Sequence, residues 1–293
     1  MKRETTGMLI GLIGVIIFAL TLPASKLAVE VFHPAFVSFG RALIAGIAGL
    51  IYILFNKAPI PEFDVIKRIS FIVFGIVVGF PFLMTLAMAK GSSSHGGIIL
   101  GFMPLLTTIV GVIKFRERPS KGFWFASILG TSFVLIYALI QGSGSLSYMD
   151  FLLLSATIFS AIGYAEGAEL SRKMSPKLVI SWAVVLALPL NALVTYYFFE
   201  SDYLKVGAMY WEALLFLGLF SMYIGFFFWY EGLSMGGISR VSQVQLLQPF
   251  ITLLCANVLL SEPLVPINFI FAALVVSSVL LGKQMLVKRA PHS

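Results

Sequence analysis

Along the chain, hydrophobic residues gather in ten long runs separated by short polar or charged stretches, at roughly 7–28, 34–55, 68–89, 95–114, 122–140, 149–171, 177–199, 210–234, 238–260 and 264–286. A membrane β-strand alternates apolar and polar residues over about ten positions, whereas Ile69 to Ala89 carries no charge and no such alternation. A bilayer core of about 30 Å takes about 20 apolar residues per helix, and in lipid each backbone polar group must be satisfied within the spanning structure. The pattern therefore predicts an all-α polytopic membrane protein with ten transmembrane helices. The first run follows Lys2 and Arg3 and ends near Pro23-Ala24-Ser25, the outline of a signal peptide. A counterpart of that run in mid-chain favours its retention as a helix.

Composition agrees with this pattern: of 293 residues, 59% are hydrophobic and 11% charged, against about 25% charged in soluble domains. No separate soluble domain fits beside ten spans. The single cysteine, Cys255, allows neither an internal disulfide nor a thiolate metal cage.

The net charge of +7 becomes informative once placed. Sixteen of the 20 Lys and Arg fall in the N-terminal tail, in the connections near 56–68, 114–121, 172–177 and 235–240, and after Leu281. The opposite set of connections holds Lys26, Lys90 and Lys205, and Arg41 lies inside the second run. Basic residues accumulate on the cytoplasmic side of membrane proteins, so both termini are expected in the cytoplasm and the charge calls for no nucleic-acid partner. The uncharged 141–149 connection lies where the rule puts the outside.

The chain also resembles itself at an offset near 145. Pro104-Leu105-Leu106-Thr107 aligns with Pro249-Phe250-Ile251-Thr252, and Glu117 and Glu262 each follow 13 residues after their proline. Ser25-Lys26 resembles Ser171-Arg172, and the stretch from His33 to Val37 resembles Ser175 to Val179. Two halves, 1–145 and 146–293, each carry five runs, and an odd number of spans makes the halves enter the membrane from opposite sides. Such inverted repeats place a substrate site near the bilayer midplane and work by rocking one half against the other. That architecture predicts a secondary transporter.

On these residues the chain resembles the drug/metabolite transporter superfamily, EamA type. The supporting positions are the proline-to-glutamate stretches 104–117 and 249–262 and the Ser-Lys or Ser-Arg after the first helix of each half. Its aromatic richness is most similar to the YddG-type bacterial exporters of aromatic and other amino acids. The resemblance implies an inner-membrane exporter with a central cavity lined by both halves, and a peripheral fifth helix in each.

Polar residues at membrane depth generally face the bundle interior. Ser242, Gln245, Pro249 and Thr252 recur at helical spacing with Gln248 beside them, whereas their counterparts at the repeat offset are Gly97, Leu100, Pro104, Thr107 and Met103. These polar side chains are candidate solute contacts; the competing reading is that they join neighbouring helices. Arg41 lacks a local acidic partner and is a candidate for a solute carboxylate or a helix C-terminus. Tyr164 and Trp182 are deep aromatics suited to stacking on a planar solute. Pro23, Pro81, Pro104 and Pro249 each remove a backbone donor and are read as kinks or gates. Gly75/Gly79, Gly97/Gly101 and Gly163/Gly167 supply spacing for close helix crossings.

Glu166, Glu169, Glu231 and His95 are candidates for a proton relay; for the glutamates, snorkelling and ion pairing with Arg172-Lys173 compete. Glu117 and Glu262 are read as capping free amides at the start of the following helix, not as an acid–base pair. No phosphate loop, zinc helix or nucleophile elbow occurs, so neither cofactor nor enzymatic activity is expected. The expected partners are the lipid bilayer and a small-molecule substrate, with the oligomeric state unspecified. A nucleotide-sugar or phosphorylated-metabolite antiporter would need more cavity cations than Arg41, Lys26 and Lys90 provide. A channel would favour a continuous polar path, and a receptor of seven spans conflicts with ten.

Overall fold

The computed structural model describes residues 2–90, 100–141, 148–260 and 265–288; His95, Gly97 and Glu262 fall outside them. The described chain is almost wholly helical. Helices α1 (Lys2–Ala19) and α2 (Thr21–Val29) form one broken span, followed by α3 (Pro34–Phe55) and by α4 (Phe63–Ile72), which continues through a π-helical segment, Val73–Gly79, into α5 (Phe80–Lys90). Then come α6 (Met103–Phe115), α7 (Lys121–Gln141), α8 (Tyr148–Leu170), α9 (Pro176–Leu186) and α10 (Leu188–Tyr197). The chain ends with α11 (Ala208–Phe216), a second π-helical segment (Leu217–Ile224), α12 (Gly225–Gly236), α13 (Ile238–Ser242), a 3-10 turn (Gln243–Leu247), α14 (Gln248–Leu260) and α15 (Pro266–Gln284).

Helix starts follow local chemistry. Pro34, Pro176 and Pro266 each open a helix, where the missing N–H has no intrahelical partner to lose, and the His33 imidazole accepts from Ala35 N at 3.2 Å to cap α3.

Among the described residues, six helical stretches are long and apolar enough to cross a bilayer: Arg3–Val29, Pro34–Phe55, Phe63–Ala87, Phe151–Leu170, Ala208–Gly236 and Pro266–Gln284. The bent pair α9 and α10, at 49°, is a seventh. Of the remaining three apolar runs, one holds the short helix Met103–Phe115, one the 21-residue helix Lys121–Gln141, and the run at 238–260 is interrupted by the 3-10 turn.

The packing is interlocked. The α1 helix runs along α12, the π-helical segment and α5 lie against α8, α3 lies against α9 and α10, α6 against α13, and α7 against α15. Every one of these pairs joins an element before residue 142 to one after 147. Glycine makes the α1–α12 contact possible, because Gly7, Gly11 and Gly14 face Gly225, Gly232 and Gly236. A Cβ on Gly232 would lie 2.7 Å from the Gly11 nitrogen, and one on Gly7 2.7 Å from the Gly236 Cα. Gly75 meets Gly163 in the same manner, whereas Gly167 faces the Tyr230 ring.

Pro104 and Pro249 sit in the first turn of α6 and α14, Pro81 in the first turn of α5 after the π-helical segment, and Pro23 in the first turn of α2 after the break at Leu20. A first-turn proline costs little where no carbonyl one turn earlier depends on its N–H. The structure also departs from a purely helical chain at one point: Arg118–Pro119 pairs antiparallel with Val287–Lys288, and Ser120 N donates to Leu286 O at 2.9 Å, tying the chain end to the mid-chain turn.

Candidate functional site

Two groups of buried polar side chains stand out, one near the middle of the bundle and one at the end where the basic residues collect. The central group is built by both halves. Arg41, seven residues into α3, is 3% exposed, and its Nη2 donates to Ser221 Oγ at 2.8 Å. The serine hydroxyl in turn lies 2.7 Å from Thr21 Oγ1. Ser221 sits in the second π-helical segment, whose wider turn offers the hydroxyl to α3; π-helical turns recur at functional sites. The first π-helical segment carries Ile76 at the corresponding place, packed on Gly163.

Tyr164 is the centre of this group. It lies within electrostatic reach of the Arg41 charge, accepts a long contact from Gln245 Nε2 at 3.5 Å, and packs its ring against Trp229 at 5.4 Å and Phe226 at 6.0 Å. Phe18 closes the same wall, 5.0 Å from Phe226 and 6.2 Å from Trp229. Gln245 also reaches Met103 Sδ at 3.6 Å. Four polar atoms here lack a hydrogen-bond partner among the described residues: Arg41 Nε and Nη1, Gln245 Oε1 and Trp229 Nε1. Buried polar groups in native structures are nearly always paired; single unpaired atoms occur elsewhere among the described residues, as at Ser127 and Thr131, but here four gather around one charge.

The structure thus brings Arg41, Tyr164 and Gln245 together, and gives most of the other candidates partners of their own. Gln248 Nε2 donates to Phe18 O at 3.4 Å, and Thr252 Oγ1 to Ala19 O at 2.8 Å. For Ala19 the cause is Pro23, which has no N–H to donate to the carbonyl one turn earlier; the ninth run supplies the missing donor. Both side chains therefore mend the break in the first span, the helix-joining role weighed against solute contact. Ser242 reaches Pro104 O at 3.3 Å and Ser239 O at 2.9 Å, binding α13 to α6. Thr107 back-bonds to Met103 O at 2.8 Å in its own helix. Trp182 has an unpartnered Nε1, but its ring makes no ring contact with Tyr164 among the described residues.

Sequence reasoning passed over Ser221 and Thr21, whose types carry no signal alone; the hydrogen bond from Arg41 brings the second run into this group.

At the basic end the chemistry is the reverse: charges are paired. Glu166 is 1% exposed; its Oε2 accepts from Arg68 Nε and Nη2 at 2.8 Å and its Oε1 pairs with Lys114 Nζ. These partners come from the first half, α4 and α6, and replace the expected neighbours Arg172 and Lys173. Glu169 does pair with Arg172, at 2.8 Å. In α12, Glu231 offers its carbonyl to Ser234 Oγ at 2.9 Å. Glu117, 2% exposed, accepts from Ile238 N at 2.9 Å, from Ser239 N at 2.8 Å and from the Ser239 hydroxyl. It therefore caps α13 in the other half, and not the helix that follows it in sequence. Arg240 closes the set by binding Glu4 and Met285 O.

At the opposite end a group of rings packs together. Phe32, Phe36, Tyr203 and Trp211 pack at 4.9 to 6.1 Å, His33 N donates to Tyr203 Oη at 3.0 Å, and burial pushes the Tyr203 phenol above its usual range. Among the described residues no cluster of His, Cys, Asp and Glu suits a metal ion.

Known proteins provide the context for this arrangement. The sequence profile of the EamA-like transporter family matches twice, at residues 5–139 and 147–282. The uncharacterized transporter YdeK of Bacillus subtilis is 43% identical over 263 residues, covering 89% of this chain and 91% of its own. An uncharacterized transporter of Archaeoglobus fulgidus is 28% identical over 251 residues, covering 84% and 87%. A solved crystal structure with 15% sequence identity superposes with a TM-score of 0.79 over 95% of this chain and 98% of its own, which shows a shared fold.

Proposed function

The chain belongs to the EamA-like transporter family and is a multi-pass membrane transporter, not an enzyme; from that premise we propose that it is a secondary exporter of small metabolites, amino acids including aromatic ones, in a bacterial inner membrane. In this reading the polypeptide crosses the bilayer ten times as two inverted five-helix repeats, 1–145 and 146–293, with both termini in the cytoplasm. The observation that carries it is the pairing of elements across the halves. The first run packs on the eighth and the third on the sixth, while the second, fourth and fifth runs pack on the seventh, ninth and tenth. A two-fold axis in the membrane plane relates such pairs, and the repeat offset of 145 maps each onto another or onto itself.

The π-helical segments support the same symmetry, since Val73–Gly79 and Leu217–Ile224 lie about one repeat apart. Alternating access then requires the charged contacts at the basic end to open as the ring cluster at the opposite end closes, and the reverse. Glu117 and Glu166 both bridge the halves, so they hold the basic end shut in the conformation described. A single cation in the central group, Arg41, fits a monoanionic or zwitterionic solute better than a phosphorylated one, which needs more positive charge.

Reconstitution into proteoliposomes tests the proposal. Saturable flux of an amino acid, aromatic ones included, at rates far below a channel's is expected. Absence of flux for every amino acid, with folded protein confirmed in the same vesicles, would overturn it.

A further inference from the structure

We infer that Arg41 is the carboxylate-binding residue of the transport site, and that its solute is a carboxylate with an aromatic or large apolar body laid against Tyr164, Trp229, Phe226 and Phe18. The inference deepens the exporter reading above and rests on it.

The argument begins with the cost of the charge. A buried guanidinium without a counter-ion is expensive, and its usual remedy is a carboxylate with further hydrogen bonds on the remaining donors. Arg41 has no such partner among the described residues: its only hydrogen bond goes to a neutral hydroxyl, and Nε and Nη1 have none. The buried carboxylates are engaged elsewhere, Glu166 by Arg68 and Lys114 and Glu117 by Ile238 and Ser239. The position is also not a requirement of the fold, because its counterpart at the repeat offset is Leu186, an apolar residue. An arginine is thus placed in one half only, at the interface of both.

The geometry of what is free favours an anion. Arginine presents five N–H donors in a planar fork that matches a carboxylate. Ser221 occupies one arm and holds the plane, its own hydroxyl being anchored on Thr21, so the remaining donors are aimed rather than mobile. The rings of Phe18, Tyr164, Phe226 and Trp229 pack together in the same group, a surface for a planar or bulky side chain. On the far side of Tyr164, Gln245 Oε1 is an acceptor without a donor and gives the site polarity from one end to the other.

The test uses the full-length protein in detergent and four probes that share one ring: L-phenylalanine, 3-phenylpropionate, L-phenylalaninamide and 2-phenylethylamine. Affinity is read by calorimetry and by thermal stabilisation, since a ligand that binds only the folded state raises Tm. The two acids are expected to bind and the amide and amine to bind about 10- to 100-fold more weakly, the worth of a charge-assisted hydrogen bond. Arg41→Gln is expected to remove that preference by weakening the acids alone, and Ser221→Ala to weaken them several-fold without touching the amide. Equal affinity of wild type for all four probes, or acid preference surviving in Arg41→Gln, would overturn the inference and leave the exporter reading intact. Failure of wild type to bind any of the four would overturn both the inference and the aromatic amino-acid reading. Should Arg41→Gln not fold, the wild-type ratio and Ser221→Ala still decide.

Discussion

Glu166 and Arg41 are both buried charges in one bundle, and they are treated in opposite ways. Glu166, 1% exposed, is gripped by two cations from the other half, and aromatic faces flank those cations: Lys114 lies 4.3 Å from the Phe71 ring centroid and Arg68 5.9 Å from that of Phe115. Arg41, 3% exposed, holds only a serine. A charge whose needs are met by its own fold is structural. A charge whose needs are left unmet makes sense only if something outside the chain meets them in part of a working cycle. The same contrast separates the two ends of the molecule, for ions and caps join elements at the basic end and neutral rings collect at the opposite one.

The largest effect is expected from breaking the satisfied charge. Glu166→Ala leaves Arg68 and Lys114 facing one another without an anion, and removing one member of a buried ion pair costs about 3–5 kcal/mol. Because Lys114 is partly exposed, part of its charge stays hydrated and the lower end of that range is expected in chemical or thermal unfolding in detergent. Adding Arg68→Met and Lys114→Met to the variant should return most of the loss. A single variant as stable as wild type would mean that Glu166 is not the structural charge of the comparison.

Glu117→Ala comes next. It removes acceptors from two backbone amides and one hydroxyl at the start of α13, and loss of such a cap costs about 0.5–2 kcal/mol. Since the cap joins the halves, the variant is also expected to shift the bundle toward opening at the basic end, read as faster alkylation of a cysteine placed at Ser242. Unchanged accessibility would confine Glu117 to a local role.

Arg41 should show the opposite sign. Replacing an unpaired buried charge with an apolar side chain of similar length relieves desolvation, so Arg41→Met is expected to leave stability unchanged or raise it by about 1 kcal/mol while abolishing carboxylate transport. A loss above about 2 kcal/mol, set against the same scale, would show that the guanidinium has a structural partner and would erase the contrast with Glu166.

These residues also mark how far the sequence was legible. Lipid immersion leaves a strong trace, so the apolar runs, the sidedness of charge and the family resemblance could be read directly. Arg41, Tyr164 and Gln245 were legible for a similar reason, being costly residue types at membrane depth. What periodicity cannot reveal is the partner. Glu117 was expected to cap the helix beginning a few residues later, yet its amides lie 121 and 122 residues on, a relation made by the fold alone. Glu166 was assigned to the nearby Arg172 and Lys173 by proximity along the chain, whereas its cations lie in the other half. The π-helical segments and the 3-10 turn at Gln243–Leu247 leave no composition signal.

Thr252 and Thr107 supply the finest version of the comparison, since they stand one repeat apart and were both proposed as solute contacts. Both hydroxyls donate to a backbone carbonyl, but the carbonyls differ. Met103 O belongs to the helix that contains Thr107 and lies four residues before it, so the helix serves that oxygen with or without the hydroxyl. Ala19 O lies in another helix, and Pro23 has taken away its backbone donor. Interhelical hydrogen bonds of this type in a membrane protein are worth about 0.6 kcal/mol on average and reach about 1.7. Thr252→Val is therefore expected to destabilise by about 1 kcal/mol, near the upper half of that range, and Thr107→Val by less than about 0.5 kcal/mol. Equal losses in the two variants, measured side by side by thermal unfolding, would mean that the break at Leu20 does not depend on the ninth run for its repair.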